Sequence, residues 1–483
     1  MKTLAKRLNK VMLITPPYHC GVLESAGNWL PLGFVYIAGS LREAGFDVKI
    51  YDAMTKNHYL RDIQRHIESY QPDVVATTAY TSTYPAASEV IKMAKRVNPS
   101  VVTIMGGVHP TFMWEESLTE LKDVLDFIVR GEGEATTTEL LSVLRDKNRP
   151  ENVSGIAYLS NGHPVSTSSR PFIENLDSLW PAWDLVNWED YIYFASDNKR
   201  LAVVSTSRGC LEGCTFCSQQ LLWRKTWRAR KPSEVIKELQ ILKDKFGVEV
   251  VMFADEYPTY DRNRWEEMLD LLIKHNIGIE ILMETRVEDI VRDEDIIGKY
   301  KNAGVSHIYV GAEAVTQERL DFFKKNAKVR DSKRAIDLIN STDIVTETSF
   351  VLGIPDESDD SIQKTIELAK YYNADMTFFL AIGPWPYSEI YPELKPYIAT
   401  KDYSKYNFMI PVVKPKKMSL GEVQEALDRA HKEFYMHKMQ QVPLMSSFKR
   451  EYMKDVFRIL KNSCIGDLMK EITIPEYMKT TIR

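Results

Sequence analysis

The stretch LAVVSTSRGCLEGCTFC, residues 201–217, decides the fold of the second half of the chain. It begins with a short apolar run that predicts a buried β-strand. Three of the five cysteines in the chain, Cys210, Cys214 and Cys217, follow this strand in the pattern C-x-x-x-C-x-x-C. A zinc site would need a fourth ligand at a familiar spacing, and the neighbouring sequence offers none. The pattern therefore predicts an iron–sulfur cluster with one open iron, and a zinc or purely structural cluster is the alternative.

The composition of the 483 residues is that of an ordinary globular protein with room for two or three domains, since 44% are hydrophobic and 27% are charged. The net charge of −5 is spread over segments of mixed sign, which argues against a nucleic-acid or anionic-membrane surface. No apolar run is long enough to span a membrane, and the first residues lack the pattern of a signal peptide. Few cysteines, mostly clustered, are typical of a reducing compartment, so we expect a cytoplasmic protein.

Strand-like and helix-like segments alternate through residues 1–145. This alternation predicts an α/β domain with a doubly wound, Rossmann-like parallel sheet. Ligands of such sheets bind at the carboxyl ends of the strands, which here lead into the loops at 15–30, 77–84, 106–112 and 130–134.

The rest of the chain divides into three further parts. Residues 146–195 carry several prolines and tryptophans and are interpreted as a hairpin and linker. Six more strand–helix units over residues 196–395 predict a partial (β/α)6 barrel, with its chemistry at the carboxyl ends of the strands. The polar, helical pattern of residues 396–483 predicts a C-terminal helical cap.

The segment CLEGCTFC, with an aromatic residue before its last cysteine, resembles the signature of the radical S-adenosylmethionine superfamily. The resemblance implies a 4Fe–4S cluster on the three cysteines. It also implies that S-adenosylmethionine binds at the open iron and that one electron cleaves it to a 5′-deoxyadenosyl radical. The resemblance extends to the later segments FADE, ETR, GAEA and VLGIP. The S-adenosylmethionine residues implied in this way are Phe216, Asp255, Glu256, Glu284, Arg286, Glu313, Gly353 and Ile354.

Charged side chains at the ends of apolar strands suit this ligand. Because S-adenosylmethionine carries an ammonium, a carboxylate and a sulfonium group, it needs both carboxylates and cations around it. A solvated strand end is the alternative for any one of these residues. Their joint occurrence behind the cysteine motif favours the binding role.

The first domain resembles the cobalamin-binding domain that precedes the barrel in many radical enzymes. The resemblance lies in PLGFVYIAGSLREAGFDVKIYDA, DVVATTAYTSTYP, IMGGVHPTF and IVRGEGE. Glycines in these loops would let the backbone approach a flat macrocycle. The cobalamin residues implied are Thr78, Tyr80, Thr81, Ser82, Gly106, Gly107, His109, Gly131 and Glu132. A flavodoxin-like domain without a ligand is the alternative.

The first loop departs from the cobalamin pattern D-x-H-x-x-G, whose histidine ligates cobalt from below. Here His19 is followed by Cys20 and Gly21, and the aspartate is missing. We therefore expect no histidine ligand, with the lower cobalt face met by a loop residue near Tyr80 or by water. Cys20 and Cys464 are interpreted as ordinary thiols.

Several segments, among them RGCLEGCTFCSQQLLWR, FADEYPT and GPWPYSEIYPEL, resemble in order those of the anaerobic magnesium-protoporphyrin IX monomethyl ester cyclase subgroup. The sequence ends at residue 483, without the carboxyl-terminal extension associated with that subgroup. Related enzymes are C-methyltransferases, including one that acts on a glutamine of methyl-coenzyme M reductase. The catalytic residues stay unassigned, because fold and cofactors do not fix a substrate.

The resemblance leads us to expect a cobalamin-dependent radical C-methyltransferase. Its substrate would be an unactivated sp³ carbon in a protein or peptide, such as the reductase glutamine, and its electron donor would be a ferredoxin or flavodoxin. The alternatives are the oxidative cyclase of the porphyrin ester and a non-catalytic protein that holds cobalamin and an iron–sulfur cluster.

Overall fold

The structure, a computed structural model, describes residues 8–19 and 26–462. The described chain forms two compact units. Residues 8–19, 31–190 and 402–404 form the first unit, and residues 26–30, 191–401 and 405–462 form the second. Cys20 and Cys464 lie outside the described residues, so the prediction that they are ordinary thiols stays a prediction.

The first unit is built on a sheet whose described strands follow the order β2-β1-β3-β4-β5-β6-β7. The strands are β1 Lys10–Ile14, β2 Asp47–Tyr51, β3 Val74–Thr78, β4 Val102–Gly106, β5 Phe127–Val129, β6 Ile156–Ser160 and β7 His163–Ser166. β1 to β5 are parallel, and β6 and β7 add an antiparallel hairpin at one edge. The hairpin expected after residue 145 therefore extends the first sheet.

Helices cover both faces of this sheet, as expected of a doubly wound fold. They are α1 Leu32–Glu43, α2 Leu60–Tyr70, α3 Tyr84–Val97, α4 Val108–Phe112, α5 Trp114–Glu120 and α6 Gly133–Arg145. Apolar residues of α1 and α6 pack on one face, and those of α2 and α3 pack on the other. Short 3₁₀ turns follow at Pro150–Asn152, Leu176–Ser178, Trp183–Leu185 and Trp188–Asp190.

The second unit is built on a sheet whose described strands follow the order β16-β15-β14-β13-β12-β9-β8. The strands are β8 Ile192–Tyr193, β9 Lys199–Val204, β12 Val250–Phe253, β13 Glu280–Thr285, β14 Val305–Glu313, β15 Val345–Leu352 and β16 Met376–Ala381. All neighbours are parallel except β8, which pairs antiparallel with β9. A separate ribbon joins β10 Ser207–Arg208 to β11 Arg228–Ala229.

Helices connect the parallel strands of the second unit. They are α7 Gln219–Leu222, α8 Pro232–Phe246, α9 Arg262–His275, α10 Val287–Arg292, α11 Ile297–Asn302, α12 Gln317–Phe322, α13 Val329–Asn340, α14 Asp359–Tyr372 and α15 Tyr391–Leu394. Further 3₁₀ turns lie at Glu294–Ile296, Lys395–Tyr397, Tyr403–Lys405 and Val442–Leu444. This succession of strands in spatial order confirms the predicted partial barrel.

The C-terminal helices are α16 Leu420–Gln441 and α17 Ser447–Asn462. Ser419 caps α16, because its hydroxyl accepts from the Glu422 backbone N–H while the Glu422 carboxylate accepts from the Ser419 N–H. The stretch before this helix forms turns, and Ile398 makes an isolated β-bridge with Val413. No helix in the described part of the chain is both long and apolar enough to cross a membrane.

Candidate functional site

The cysteine motif lies on a loop whose two ends are joined by the β10–β11 ribbon. Ser207 pairs with Ala229, and Arg208 pairs with Arg228. Gly209 follows the ribbon with φ of 103°, and a Cβ atom there would lie 2.1 Å from the Thr226 carbonyl oxygen. Only glycine fits this close approach without moving the backbone. Backbone contacts therefore help to close the loop between residues 209 and 227.

Hydrogen bonds also hold the middle of the loop. The Cys217 N–H donates to the Cys214 carbonyl at 3.1 Å, and the Gln220 amide donates to the same carbonyl at 2.8 Å. The Thr215 N–H donates to the Phe323 carbonyl at 2.9 Å, which ties the loop to the segment after α12. The three thiols are thus presented by one anchored loop, and none of them is in a disulfide.

Burial dominates the electrostatics of the three thiols. It raises the pKa of Cys214 to about 11 and that of Cys217 to about 12, and it raises the pKa of Cys210 as well. Arg286 and Lys325 act in the opposite direction on these thiols. The thiols are therefore protonated as placed, and a metal would have to displace their protons.

Three cysteine sulfurs with cations beside them form a donor set that fits an iron–sulfur cluster. The pKa of Cys217 responds to the charges of both Cys214 and Cys210, so the thiols lie within electrostatic reach of one another. As placed, no three His, Cys, Asp or Glu side chains in the described ranges converge closely enough to hold a metal ion. The donor chemistry fits the cluster, whereas the present spacing would have to tighten around it.

Asp255 follows β12 and is 2% exposed. Its carboxylate accepts a 2.7 Å hydrogen bond from the Thr206 backbone N–H and a second, short one from the Thr206 hydroxyl. Burial raises the pKa of Asp255, and the hydrogen bonds from Thr206 and Ser207 oppose this rise. The side chain therefore holds the turn that leads into the cysteine loop.

Glu256, the residue after Asp255, also holds the cysteine loop. Its carboxylate accepts a 3.1 Å hydrogen bond from the Gly209 N–H and a 2.7 Å hydrogen bond from the Trp223 indole. Burial raises the pKa of Glu256, and these two donors lower it. Both ends of the cysteine loop are thus attached to one carboxylate.

Glu284 lies on β13, opposite Tyr309 of β14. Its neighbours Met283 and Thr285 are buried, whereas Glu284 is exposed, so it lies on the other face of the sheet. Protein atoms still crowd the carboxylate, and this burial raises the pKa of Glu284 to about 7, with Glu347 as the next contribution. The side chain therefore lies on an accessible face of the sheet, with its carboxylate partly desolvated by neighbouring protein atoms.

Arg286 lies two residues after Glu284, just past the end of β13. Its guanidinium pairs with Glu212 of the cysteine loop and lies 3.2 Å from the Glu288 carboxylate. It also lies over the Tyr257 ring, 5.4 Å from the centroid. Since Arg286 contacts the loop and neighbours the thiols, its position suits both a structural and a ligand-binding role.

Glu313 ends β14 in the left-handed region, with φ of 62°. A residue with a side chain rarely adopts this conformation, and such positions concentrate at functional sites. The Glu313 carboxylate forms a 2.9 Å ion pair with Lys325, and both side chains are nearly buried. The pair lies near Cys214, whose pKa both residues influence.

Gly353 and Ile354 follow β15. Gly353 has φ of 81°, and its N–H donates to the Glu357 carboxylate at 3.1 Å. Ile354 is 3% exposed and belongs to an apolar cluster with Phe323, against which Phe216 packs. Phe216 meets Phe323 edge-on at 5.1 Å between centroids. Phe216 and Ile354 are thus brought together by packing.

The sequence analysis missed five residues that the structure places among these groups: Thr206, Trp223, Tyr309, Lys325 and Glu347. The sequence could have indicated one of them, because Glu347 is a charged residue within the mostly buried strand β15. The others are recognised only by their partners, which are distant in sequence.

The predicted cobalamin residues of the first unit lie at the carboxyl ends of β3, β4 and β5. Gly107 has φ of 99°, and a Cβ atom there would lie 2.6 Å from the Ala79 carbonyl oxygen and 2.7 Å from Thr78 Oγ1. The loops after β3 and β4 therefore pass in close contact, which only glycine permits. Gly106 precedes this contact, and Gly131 has φ of 77° after β5.

His109 is completely buried, and Tyr84 packs against its ring at 4.4 Å between centroids. Its Nδ1 lies 3.2 Å from the hydroxyl oxygen of Thr81, which is also buried. Burial lowers the pKa of His109 to about 4. The buried His109 and Thr81 side chains thus pack the turn and present no exposed surface to a ligand, which differs from the cobalamin role expected of them.

The remaining predicted positions differ in accessibility. Tyr80 is 62% exposed at the end of β3, next to the partly exposed Ser82. The Glu132 carboxylate is engaged by the Ile173 N–H at 2.8 Å. His19 is exposed, with its ring 6.4 Å from that of Tyr59. Among the predicted cobalamin residues, Tyr80 is therefore the exposed aromatic side chain at the carboxyl edge of the sheet.

Comparisons with known proteins agree with both units. Residues 18–141 match the B12 binding domain family, and residues 204–369 match the Radical SAM superfamily. The chain is 38% identical to the anaerobic magnesium-protoporphyrin IX monomethyl ester cyclase of Rubrivivax gelatinosus, over 89% of this chain and 78% of the relative. It is 31% identical to an uncharacterised methyltransferase of Pyrococcus horikoshii, over 89% of this chain and 93% of the relative.

A solved structure shares the fold across nearly the whole chain. It is the radical S-adenosylmethionine methyltransferase TsrM of Kitasatospora setae, with cobalamin and a 4Fe–4S cluster bound. The TM-score is 0.68 at 15% identity, with 94% of this chain and 89% of that chain covered. These matches confirm the predicted fold class. Taken together, they show that the chain belongs to the family of cobalamin-dependent radical S-adenosylmethionine enzymes, whose cofactors are a 4Fe–4S cluster, S-adenosylmethionine and cobalamin.

Proposed function

We propose that this enzyme transfers a methyl group to an unactivated sp³ carbon of its substrate. The observation that carries the proposal is the presence of a B12 binding domain and a radical SAM domain in one chain. A radical can activate such a carbon and cobalamin can deliver a methyl group, so the two domains supply complementary parts of one reaction. The relative from Pyrococcus horikoshii and the Kitasatospora setae structure are both named methyltransferases.

In this proposal Cys210, Cys214 and Cys217 hold the 4Fe–4S cluster. Arg286 and Lys325 lie beside the thiols and offset part of the negative charge that three thiolates bring. When bound, the cluster and S-adenosylmethionine supply a 5′-deoxyadenosyl radical, and cobalamin supplies the methyl group. Protein contacts join the two ends of the loop that carries the three sulfurs.

The strand ends of the second unit would bind S-adenosylmethionine. Glu256 and Glu313 offer carboxylates to its ammonium group, and Arg286 offers a cation to its carboxylate. The left-handed Gly353 leaves its backbone open beside the strand end. Asp255 acts indirectly, because its hydrogen bonds with Thr206 hold the cysteine loop in place.

The carboxyl edge of the first sheet would bind cobalamin. Tyr80 is exposed there, and the hydroxyls of Thr78 and Ser82 are only partly buried. Gly106 and Gly131 leave room there for a flat macrocycle, because a Cβ atom at either would meet nothing closer than 3.6 Å. A loop residue near Tyr80, or water, would meet the lower cobalt face, and His19 would not.

Two partners complete the proposal. Radical S-adenosylmethionine enzymes need a one-electron reductant, and we propose a ferredoxin or flavodoxin. The substrate is either a glutamine-containing peptide of methyl-coenzyme M reductase, as the sequence resemblance implies, or a small molecule such as a porphyrin. The 38% identity to the cyclase specifically favours a second candidate function, the oxidative ring closure of magnesium-protoporphyrin IX monomethyl ester.

One experiment separates these functions. The anaerobically reconstituted enzyme is given methyl-labelled S-adenosylmethionine with the reductase peptide or, separately, with the porphyrin ester. Label found in either substrate by mass spectrometry supports methyl transfer and identifies the substrate class. Ring closure of the porphyrin without transferred label would overturn methyl transfer in favour of the cyclase. If neither 5′-deoxyadenosine nor product forms, both functions are refuted for these substrates.

A further inference from the structure

A row of polar side chains crosses the concave face of the second sheet. Register places Glu284 of β13 beside Tyr309 of β14, and Tyr309 beside Glu347 of β15. The Tyr309 hydroxyl lies 2.6 Å from that of Ser349. Because cross-strand neighbours in register share a face of the sheet, these groups border the same space as the exposed Glu284.

The other carboxylates around Glu284 already have partners. Glu347 lies 3.0 Å from His307 Nε2, and Glu313 pairs with Lys325 at 2.9 Å. Glu256 accepts hydrogen bonds from two neutral donors on the cysteine loop. In the described ranges, Glu284 has neither a hydrogen bond nor an ion pair. The negative charges of Glu347, Glu256 and Glu313 raise its pKa.

The fixed cations near Glu284 are engaged elsewhere. Arg286, just past the end of the same strand, pairs with Glu212 and Glu288. Lys325 is held by Glu313, and any positive charge on His307 faces Glu347. The carboxylates around this face therefore outnumber the cations, and Glu284 is one that no cation in the described part of the chain balances. A ligand that carries a positive charge would correct this imbalance.

We propose that Glu284 is the counter-charge for the sulfonium of S-adenosylmethionine and so selects this ligand over neutral S-adenosylhomocysteine. The inference rests on the proposed use of S-adenosylmethionine at this site. The two ligands share the adenosine, ammonium and carboxylate groups, and they differ in the methyl group and positive charge at sulfur. Glu284 is then a specificity-determining residue.

Proton release gives this proposal a direct signature. Burial raises the pKa of Glu284 to about 7, so this carboxyl group is partly protonated near neutral pH. A cation beside it favours the charged form and lowers its pKa. Binding of S-adenosylmethionine therefore expels a proton, and its affinity rises with pH through the neutral range. S-adenosylhomocysteine has no sulfonium charge, so its binding expels no proton from Glu284.

Isothermal titration calorimetry measures this coupling without a substrate. Each ligand is titrated into the anaerobically reconstituted full chain in phosphate and in Tris, whose ionisation enthalpies differ. At about pH 7 we expect S-adenosylmethionine to release about half a proton more than S-adenosylhomocysteine, because any proton lost from the amino group that the two ligands share is released with both. In Glu284→Gln this difference should disappear, and affinity for S-adenosylmethionine at about pH 8 should fall about tenfold. Affinity for S-adenosylhomocysteine should stay within about twofold, which also shows that the variant is folded.

Glu280→Gln is the matched control, because Glu280 is on the same strand and pairs with Lys199. It should keep the proton release of the unmodified chain. Equal proton release with both ligands in the unmodified chain, or a difference between the ligands that persists in Glu284→Gln, overturns the inference while leaving the proposed function intact. Failure of the unmodified enzyme to bind either ligand would instead refute the proposed use of S-adenosylmethionine, and the inference with it.

Discussion

The Trp223 indole donates a 2.7 Å hydrogen bond to Glu256 Oε1, and this bond joins the far side of the cysteine loop to the end of β12. The other Glu256 oxygen accepts from the Gly209 N–H at the near side of the loop. One buried carboxylate thereby sets the distance between the two ends of the loop that carries the thiols.

Trp223→Phe should keep the aromatic packing and remove this hydrogen bond. A buried carboxylate oxygen without its donor costs about 1–3 kcal/mol of stability, so we expect a lower thermal midpoint and reduced iron content after reconstitution. Differential scanning calorimetry and iron analysis measure the two effects. Trp227→Phe is the control, since its indole donates to the Tyr257 backbone carbonyl instead. Equal iron loss in both variants would show that Glu256 does not set the loop.

Replacing a cysteine of the motif should abolish cleavage of S-adenosylmethionine. Cys210→Ala, Cys214→Ala and Cys217→Ala each remove one sulfur from a cluster that needs all three. The rate of 5′-deoxyadenosine formation under reducing, anaerobic conditions measures the effect, and Cys464→Ala is the control. Cleavage that survives in any of the three variants would contradict the assignment of the cluster.

Cobalamin should bind to the full chain without a histidine on cobalt. We expect His19→Ala to leave the visible spectrum of bound hydroxocobalamin unchanged, because the D-x-H-x-x-G pattern is missing. Tyr80→Ala should weaken binding about tenfold or alter the spectrum, because it removes the exposed aromatic group at the sheet edge. A spectrum that shows imidazole bound to cobalt, and that is lost in His19→Ala, would refute the prediction that His19 is not a cobalt ligand.

His431 should make the stability of the protein depend on pH. Its Nε2 accepts from the Phe379 N–H at 3.2 Å, and its Nδ1 lies 2.9 Å from the Leu427 carbonyl, so the buried ring must be neutral. Burial lowers its pKa to about 4 from 6.5. The folded state therefore binds fewer protons than the unfolded state, and stability is lost as pH falls from about 6.5 to about 4.

Urea unfolding at several pH values tests this dependence. The loss attributable to His431 is about 3 kcal/mol at the acid end of the range. His431→Gln should be less stable at neutral pH and should show a flatter slope between about pH 6.5 and about pH 4. His163→Gln, on the exposed hairpin strand β7, is the control and should keep the slope. An unchanged slope in His431→Gln would contradict the prediction.

Local sequence patterns were enough to predict much of the fold. Helix α9 Arg262–His275 depends on such patterns, because Asp261 caps its start and Asn276 adopts the left-handed conformation at its end. The strand before the cysteines was equally clear from its apolar run. These features depend on residues that are neighbours in sequence.

Other features depend on distant contacts and could not be predicted. Residues 402–404 belong to the first unit, because Tyr403 packs against His109 and donates to the Glu116 carboxylate. The Glu313–Lys325 pair needs the left-handed turn at Glu313, and no propensity predicts that conformation for glutamate. Sequence identified the charged strand ends, but the partners that occupy each of them were visible only in the fold.

The β10–β11 ribbon has a consequence for the order in which the enzyme matures. The ribbon, the Gly209–Thr226 approach and the Glu256 hydrogen bonds all form between protein groups, and none requires iron. We therefore expect the two ends of the cysteine loop to be joined before iron and sulfide arrive, while the three sulfurs still have to draw closer around the cluster. Enzyme made without iron should then keep this loop closed, and later delivery of iron and sulfide should restore its activity without new protein synthesis.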